Sequence, residues 1–159
     1  MLPALEELKS ALEQLLPGVS LALEGGSLLV QPKDLTSVCR CLKETERFHL
    51  DYVANLTAVD YPPERIEVVY HLYSMTHKHG PVTLRVKLDR AKATVDSVTP
   101  IWRGAEFQER EVYDLFGVTF TGHPDLRRIL MWDGFKGHPM RKDYVPEDQN
   151  LLEELPPRQ

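Results

Sequence analysis

The stretch from Ile66 to Ser74, IEVVYHLYS, limits what this chain can fold into more than any other. It is apolar at successive positions in its centre, so a strand built from it is apolar on both faces there. Such a strand belongs inside a sheet that is covered on at least one side. A candidate neighbour lies on either side of it. Residues 49–59 form one, and the other runs from Val82 to Leu88, where Leu84, Val86 and Leu88 alternate with Thr83, Arg85 and Lys87 as in a half-exposed strand. Asp60-Tyr61-Pro62-Pro63 and His77 to Pro81 carry the turn residues expected of the intervening loops.

Upstream, Leu5, Leu8, Leu12, Leu15 and Leu16 recur at helical spacing, with Pro3 at the first turn and Pro17-Gly18 as the stop. Val19 to Glu24, Gly25-Gly26 and Ser27 to Gln31 read as a hairpin with a two-residue turn. Pro32 to Arg47 reads as a second helix on Leu35, Val38 and Leu42. The order is therefore αββαβββ, an α+β two-layer domain with helices packed on one mixed sheet. A third helix is expected from Ile101 to Phe116, stopped by Gly117. From Val118 regular structure is hard to assign, because prolines 124, 139, 146, 156 and 157 interrupt it and the tail EDQNLLEELPPRQ reads as loose. A long irregular segment after a compact domain is expected to work as a binding arm. The chain thus divides into an α+β domain over 1–117 and an irregular partner-binding extension over 118–159.

At 159 residues the chain has enough length for one proper core. A net charge of −5 argues against a general nucleic-acid binder. No apolar run approaches the roughly 18 residues of a membrane span, and the N-terminus MLPALEELKSALEQLL is too acidic for a signal or transit peptide. An intracellular protein is expected, with any membrane link made through partners. Cys39 and Cys41 lie two apart in the second helix, where side chains point about 200° away from each other. They make neither a CxxC motif nor a metal grip, and read as reduced, semi-buried small residues. The chain is not expected to ligate an iron–sulfur cluster alone.

The chemistry-bearing residues gather between Glu109 and Asp143. Glu106, Arg110 and Asp114 fall at i, i+4 and i+8, an acid–base–acid ladder flanked by Glu109 and Glu111. An exposed ladder is worth only tenths of a kcal/mol per pair. Trp102, Ala105, Phe107, Val112, Leu115 and Phe116 surround the helix so widely, however, that some of its charges must be buried, in the domain or against a partner. Buried arginine–carboxylate pairs are better read as fixing a geometry than as adding stability. General acid–base work by Glu109 or Asp114 lacks a neighbouring nucleophile or pocket motif. A near repeat follows: Gly122-His123-Pro124 leads to Arg127-Arg128, and Gly137-His138-Pro139 leads to Arg141-Lys142-Asp143. His123 and His138 with Asp125 and Asp133 are a conceivable zinc set, yet fifteen residues apart they lack diagnostic spacing. Structural turns with locally bonded histidines are the plainer reading. The basic pairs suit clamping of carboxylates or carbonyls on another chain, or equally on their own domain. Leu130-Met131-Trp132 reads as an interface anchor or, equally, as core.

The same segment resembles the respiratory complex I 30 kDa subunit family, the C subunits of NADH-quinone oxidoreductases. The likeness rests on Glu109, Arg110, Glu111, Asp114, Leu115, Phe116, His123, Arg127 and Ile129, on His138-Pro139-Met140-Arg141-Lys142-Asp143, and on Leu56-Thr57-Ala58-Val59-Asp60-Tyr61-Pro62 and Glu67-Val68-Val69-Tyr70-His71-Leu72 upstream. Glu106-Phe107 stands where the family often has Asn-Trp, and the short run after Tyr144 suggests a compact stand-alone subunit.

The resemblance implies a subunit of the peripheral arm of a proton-translocating NADH:quinone oxidoreductase. It implies no catalytic residue, no metal and no cofactor in this chain, with FMN and iron–sulfur clusters on partner subunits. Subunits D and B are the implied neighbours, on the cytoplasmic side of the bacterial inner membrane, with quinone and membrane reached only through the complex. Glu109, Arg110, Glu111, Asp114, His123, Arg127, Arg128, His138, Arg141, Lys142 and Asp143 would then be interface or scaffold residues. Two alternatives are the equivalent subunit of a membrane-bound hydrogenase or ferredoxin-type quinone dehydrogenase, and an independent small enzyme using Glu109, Asp114 and His123.

Overall fold

The computed structural model describes residues 3–146, so the expected loose tail over 147–159 lies outside the described residues. Helix α1 is Leu5–Leu15, strands β1 and β2 are Ala22–Glu24 and Ser27–Leu29, and α2 is Leu35–Glu44 after a short 3-10 turn at Pro32–Asp34. Strands β3, β4 and β5 are Tyr52–Tyr61, Arg65–Ser74 and His79–Asp89. They are followed by β6 (Thr94–Asp96), α3 (Ala105–Phe116) and β7 (Thr119–Thr121).

The main sheet runs β1-β2-β5-β4-β3. Only β2 and β5 pair in parallel; the other neighbours are antiparallel, so the sheet is mixed as expected. β4 lies between β3 and β5, the interior position that its two apolar faces demand. On one face Val53, Ile66, Val68, Tyr70, Leu72, Val82, Leu84 and Val86 meet Leu8 and Leu12 of α1, Val38, Cys39 and Leu42 of α2, and Val112 and Phe116 of α3 in a single core. The opposite face is shielded by its own long side chains. Glu67 is fully buried there beneath Arg65, whose Nε donates to it at 2.7 Å, and Arg85.

Three expectations need correction. The third helix starts at Ala105 and not at Ile101. Ile101 and Trp102 do enter the core, but through turns closed on the Val98 carbonyl, and the Trp102 indole N–H donates to the Leu50 carbonyl at 2.9 Å. Burial there needs no helix. Asp60 and Tyr61 belong to β3, and His79, Gly80 and Pro81 to β5, and not to the loops expected there. Regular structure also continues beyond Gly117, since β7 pairs in parallel with β6 as a separate two-stranded sheet, and Val118 and Phe120 are buried. Strands of three residues paired across 25 positions have no local periodicity to reveal them. From Gly122 to Pro146 no further helix or strand forms among the described residues.

Candidate functional site

Helix α3 is the crossover between β6 and β7, and this places the Ser97–Thr99 turn and the His123 turn on either side of Glu109. Glu109 is completely buried. Its Oε1 accepts the Val98 N–H at 2.7 Å and its Oε2 the Ser97 hydroxyl at 2.6 Å, while Ser97 Oγ lies 2.7 Å from Thr99 Oγ1. His123 Nε2 stands 3.9 Å from the carboxylate with its own ring fully buried. Burial raises the Glu109 carboxyl to about 7, and the hydrogen bonds from Ser97 and Val98 only partly oppose it.

One turn and a half further along the helix, Asp114 has the opposite electrostatics. It too is fully buried, but its Oδ2 accepts three consecutive backbone N–H groups, from Ile129 at 3.0 Å, Leu130 at 2.8 Å and Met131 at 2.9 Å. Oδ1 takes a 2.6 Å bond from Arg128 Nη1. Burial pushes this carboxyl up, yet the amide nest and the guanidinium outweigh it and hold Asp114 below the usual carboxylate value. Arg110 lies between the two acids, 5% exposed, and pairs with neither along the helix. The expected i, i+4 ladder is replaced by Nε and Nη2 bonds to the carbonyls of Arg127 and Arg128 at 3.2 and 3.1 Å. The nearest carboxylate to Arg110 is Asp125, at 3.9 Å.

The second Gly-His-Pro turn closes over the C-terminal end of α3, where four carbonyls would otherwise lack partners. His138 Nδ1 bonds the Asp114 carbonyl at 3.1 Å, the Met140 N–H donates to Leu115 at 3.1 Å, and Arg141 Nε donates to Phe116 at 2.6 Å. Burial, with Arg141 and Arg128 nearby, lowers the His138 pKa and favours the neutral ring. Gly117 ends the helix in the left-handed region at φ 72, and a Cβ there would sit 2.4 Å from His138 Nε2. Glycine is thus required twice over. Beyond it, Arg90 grips Asp60 with two bonds of 2.6 and 3.1 Å and also pairs with Asp143, and the Lys142 N–H donates to Asp60 at 2.8 Å. The Arg90 guanidinium holds Asp60 below the usual carboxylate value.

These contacts decide between the readings that the sequence left open. Arg128, His138, Arg141 and Asp143 bind their own domain, and Lys142 joins it through its backbone. His123 Nδ1 accepts the Asp125 N–H at 3.0 Å, the local bond expected of a turn, but Nε2 bonds the distant Glu106 carbonyl at 3.0 Å. Glu111 is exposed, and Arg127 is exposed and paired with Asp125 at 2.9 Å. Leu130 and Trp132 face outward at 58% and 69% exposure, so they are not core. Ser97, Asp60 and Arg90 were not among the expected site residues. Neither Ser97 nor Arg90 stands in a motif, and Asp60 joins the site only through partners distant in the chain, Lys142 82 positions on and Arg90, which bridges it to Asp143.

The chain matches, over residues 28–150, the model of the respiratory-chain NADH dehydrogenase 30 kDa subunit family. It belongs to that family. The C subunit of the NADH-quinone oxidoreductase of Moorella thermoacetica is 49% identical over 119 residues, covering 74% of this chain and 78% of that protein. The NADH-quinone oxidoreductase C subunit 2 of Rhizobium meliloti is 44% identical over 117 residues, which span 72% of this chain and 63% of that relative's length. Among solved structures, a chain of the membrane-bound sulfane sulfur reductase, an archaeal respiratory membrane complex, superposes with a TM-score of 0.71 at 26% identity, over 93% of this chain and 88% of that one. The Glu-Arg-Glu helix and both Gly-His-Pro turns fall inside the stretch matched to the family. Among the described residues no helix is long and apolar enough to cross a membrane.

Proposed function

We propose that this chain is the 30 kDa-type subunit of a proton-translocating NADH:quinone oxidoreductase, complex I, with a structural and assembly role in the peripheral arm beside the quinone-reducing subunits. One observation carries the reading. The segment from Arg127 to Arg141 is tied to α3 through its backbone and basic side chains, while Leu130, Trp132 and Met140 stay outside at 58%, 69% and 55% exposure. Exposed aromatic and aliphatic anchors on a rigid backbone are what a partner surface requires. Subunits D and B are the partners that cover them.

The chain has no catalytic residue of its own. Glu109, Asp114 and His123 have their polar atoms engaged inside the fold, so none of these three is a free base. It carries no cofactor either. Burial, with Glu109 nearby, raises the Cys39 thiol and keeps it protonated, and FMN and the iron–sulfur clusters sit on partner subunits. The subunit lies on the cytoplasmic side of the bacterial inner membrane and reaches quinone only through the complex.

A tagged chain drawn from detergent-solubilised membranes is expected to bring subunits D and B in equal amounts, with NADH:quinone activity in the eluate. Turnover or stoichiometric metal in the chain alone would overturn the reading. The likeness to the sulfane sulfur reductase chain favours a second reading, a subunit of a related respiratory membrane complex, of which a membrane-bound hydrogenase or a ferredoxin-fed dehydrogenase is the form the sequence leaves open. Assaying the same eluate with NADH, reduced ferredoxin and hydrogen separates the two.

A further inference from the structure

The polar cluster around Glu109 does more than hold a helix in place. Its carboxyl has near it several groups that could exchange or sense a proton. Ser97 and Thr99 come from the turn after β6, and His123 from the turn after β7. Cys39 of α2 and Tyr70 of β4 are both fully buried and close enough to feel the charge on Glu109. The Tyr70 hydroxyl has no hydrogen-bond partner. No arginine or lysine among the described residues bonds the Glu109 carboxyl; Arg110, next in sequence, turns away to the Arg127 and Arg128 carbonyls.

His123 is geometrically unsuited to supply the missing charge. Its Nδ1 already accepts the Asp125 N–H at 3.0 Å, so Nε2 carries the hydrogen given to the Glu106 carbonyl. A second proton on Nδ1 would point at the Asp125 N–H and break the turn. The Ser97–Thr99 hydroxyl pair, in contrast, suits both forms of the acid. With Glu109 ionised, Thr99 Oγ1–H donates to Ser97 and Ser97 donates to Oε2. With Glu109 protonated, the chain reverses and Oε2–H donates to Ser97, which donates to Thr99.

We propose that Glu109 is a proton-operated latch: protonated, it holds the Ser97–Thr99 turn closed on α3 and leaves the His123–Asp125 turn, which is fixed by its own bond to the Glu106 carbonyl, packed beside it; loss of its proton loosens both. The closed form places a neutral acid in an uncharged pocket. The ionised form leaves an anion there with no cation that can form without giving up the Asp125 bond. The opened turn leads directly into Arg127 and Arg128, so the latch links proton concentration to the position of the segment over α3. Its effect on assembly rests on the partner-surface reading above; the latch itself does not.

Hydrogen exchange on the full-length chain, corrected for intrinsic rates, tests the proposal at the amides of Val98 and Asp125. A Glu109 carboxyl near 7 when closed and 4.5 when open makes the opening constant rise about tenfold between pH 6 and pH 8. Glu109→Gln is expected to remove that dependence, and Ser97→Ala to change its size while leaving the sign. A carboxyl-carbon NMR titration of the unmutated chain is the second readout, expected to place the Glu109 midpoint near 7. A midpoint below about 5, close to the ordinary glutamate value, or the same pH dependence in Glu109→Gln, would overturn the latch. Normal pH-dependent exchange with failed copurification of subunits D and B would instead count against the partner reading alone.

Discussion

Arg128 holds Asp114 at two points, with Nη1 donating to the side-chain Oδ1 at 2.6 Å and to the backbone carbonyl of the same residue at 3.1 Å. The arginine therefore neutralises a buried carboxylate and caps the end of α3 together, and its Nη2 adds a bond to the Gly137 carbonyl at 3.1 Å. One side chain thus ties the Gly137-His138-Pro139 turn to the helix.

Asp114→Asn would remove the charge and leave the three amides of residues 129–131 with a weaker acceptor. Breaking one partner of a buried pair costs about 3 kcal/mol. Limited proteolysis is expected to cut the mutant between residues 127 and 141 while far-UV circular dichroism keeps the β signal. A chain that resists the protease as well as the unmutated one would contradict this role.

Arg110→Ala leaves two partly buried carbonyls without donors, at a cost of about 1–3 kcal/mol. The isolated domain is expected to stay folded, and copurification of partner subunits to fall much further than its melting temperature. Arg110→Lys should not restore copurification, since a single ammonium cannot reproduce the Nε and Nη2 fork. Normal assembly levels with lost activity would contradict a scaffold role.

Gly117→Ala meets both a left-handed backbone and the His138 ring. The backbone alone costs about 1–2 kcal/mol. A double-mutant cycle with His138→Ala is expected to recover the part due to the ring and leave the backbone part, as read by denaturant unfolding. Strict additivity in that cycle would mean that the ring moves aside freely.

Two signs of pH dependence coexist in this chain. The Glu109 pKa is raised from 4.5 to about 7 in the folded state, so its contribution is full below 4.5 and is lost as pH rises through about 7. A shift of that size corresponds to about 3 kcal/mol. Asp114 and Asp60 are lowered, so their contribution is present above the usual carboxylate value and is lost as pH falls through their folded values. Urea midpoints from about pH 3 to pH 8 are expected to trace a maximum on the acid side of neutrality. Glu109→Gln should flatten its alkaline slope alone, and an unchanged slope there would count against the raised acid.

Trp132→Asp replaces an exposed anchor whose recorded ring contact within the chain is edge-to-face with Phe135, so the isolated chain is expected to lose only about 1 kcal/mol. Copurification of subunits D and B should be lost in the same variant. A complex that retained them would move the partner surface elsewhere.

Periodicity alone determined the platform. The alternation in Val82 to Leu88, the double-faced core of Ile66 to Ser74 and the leucine spacing of the first two helices each report burial over a few neighbouring residues, and burial is what a local pattern encodes. The acidic and basic residues of 109–143 were equally legible as a set, because such charges around an apolar helix cannot all be solvated. Their partners were not legible. Glu109 with Ser97, Arg110 with the Arg127 and Arg128 carbonyls, and Asp60 with Arg90 and Lys142 are joined across 12 to 82 positions. Hydrogen bonds over such distances depend on where β6 and β7 place the loops, and those strands pair with each other through a register no local pattern carries. Only the tertiary structure decided that the basic turns clasp their own domain, that Arg110 ignores its helical neighbours, and that of two buried acids 5 residues apart one holds its proton to about 7 while the other keeps its charge. The physical difference is the donor count: three amides and a guanidinium at Asp114, against one amide and one hydroxyl at Glu109.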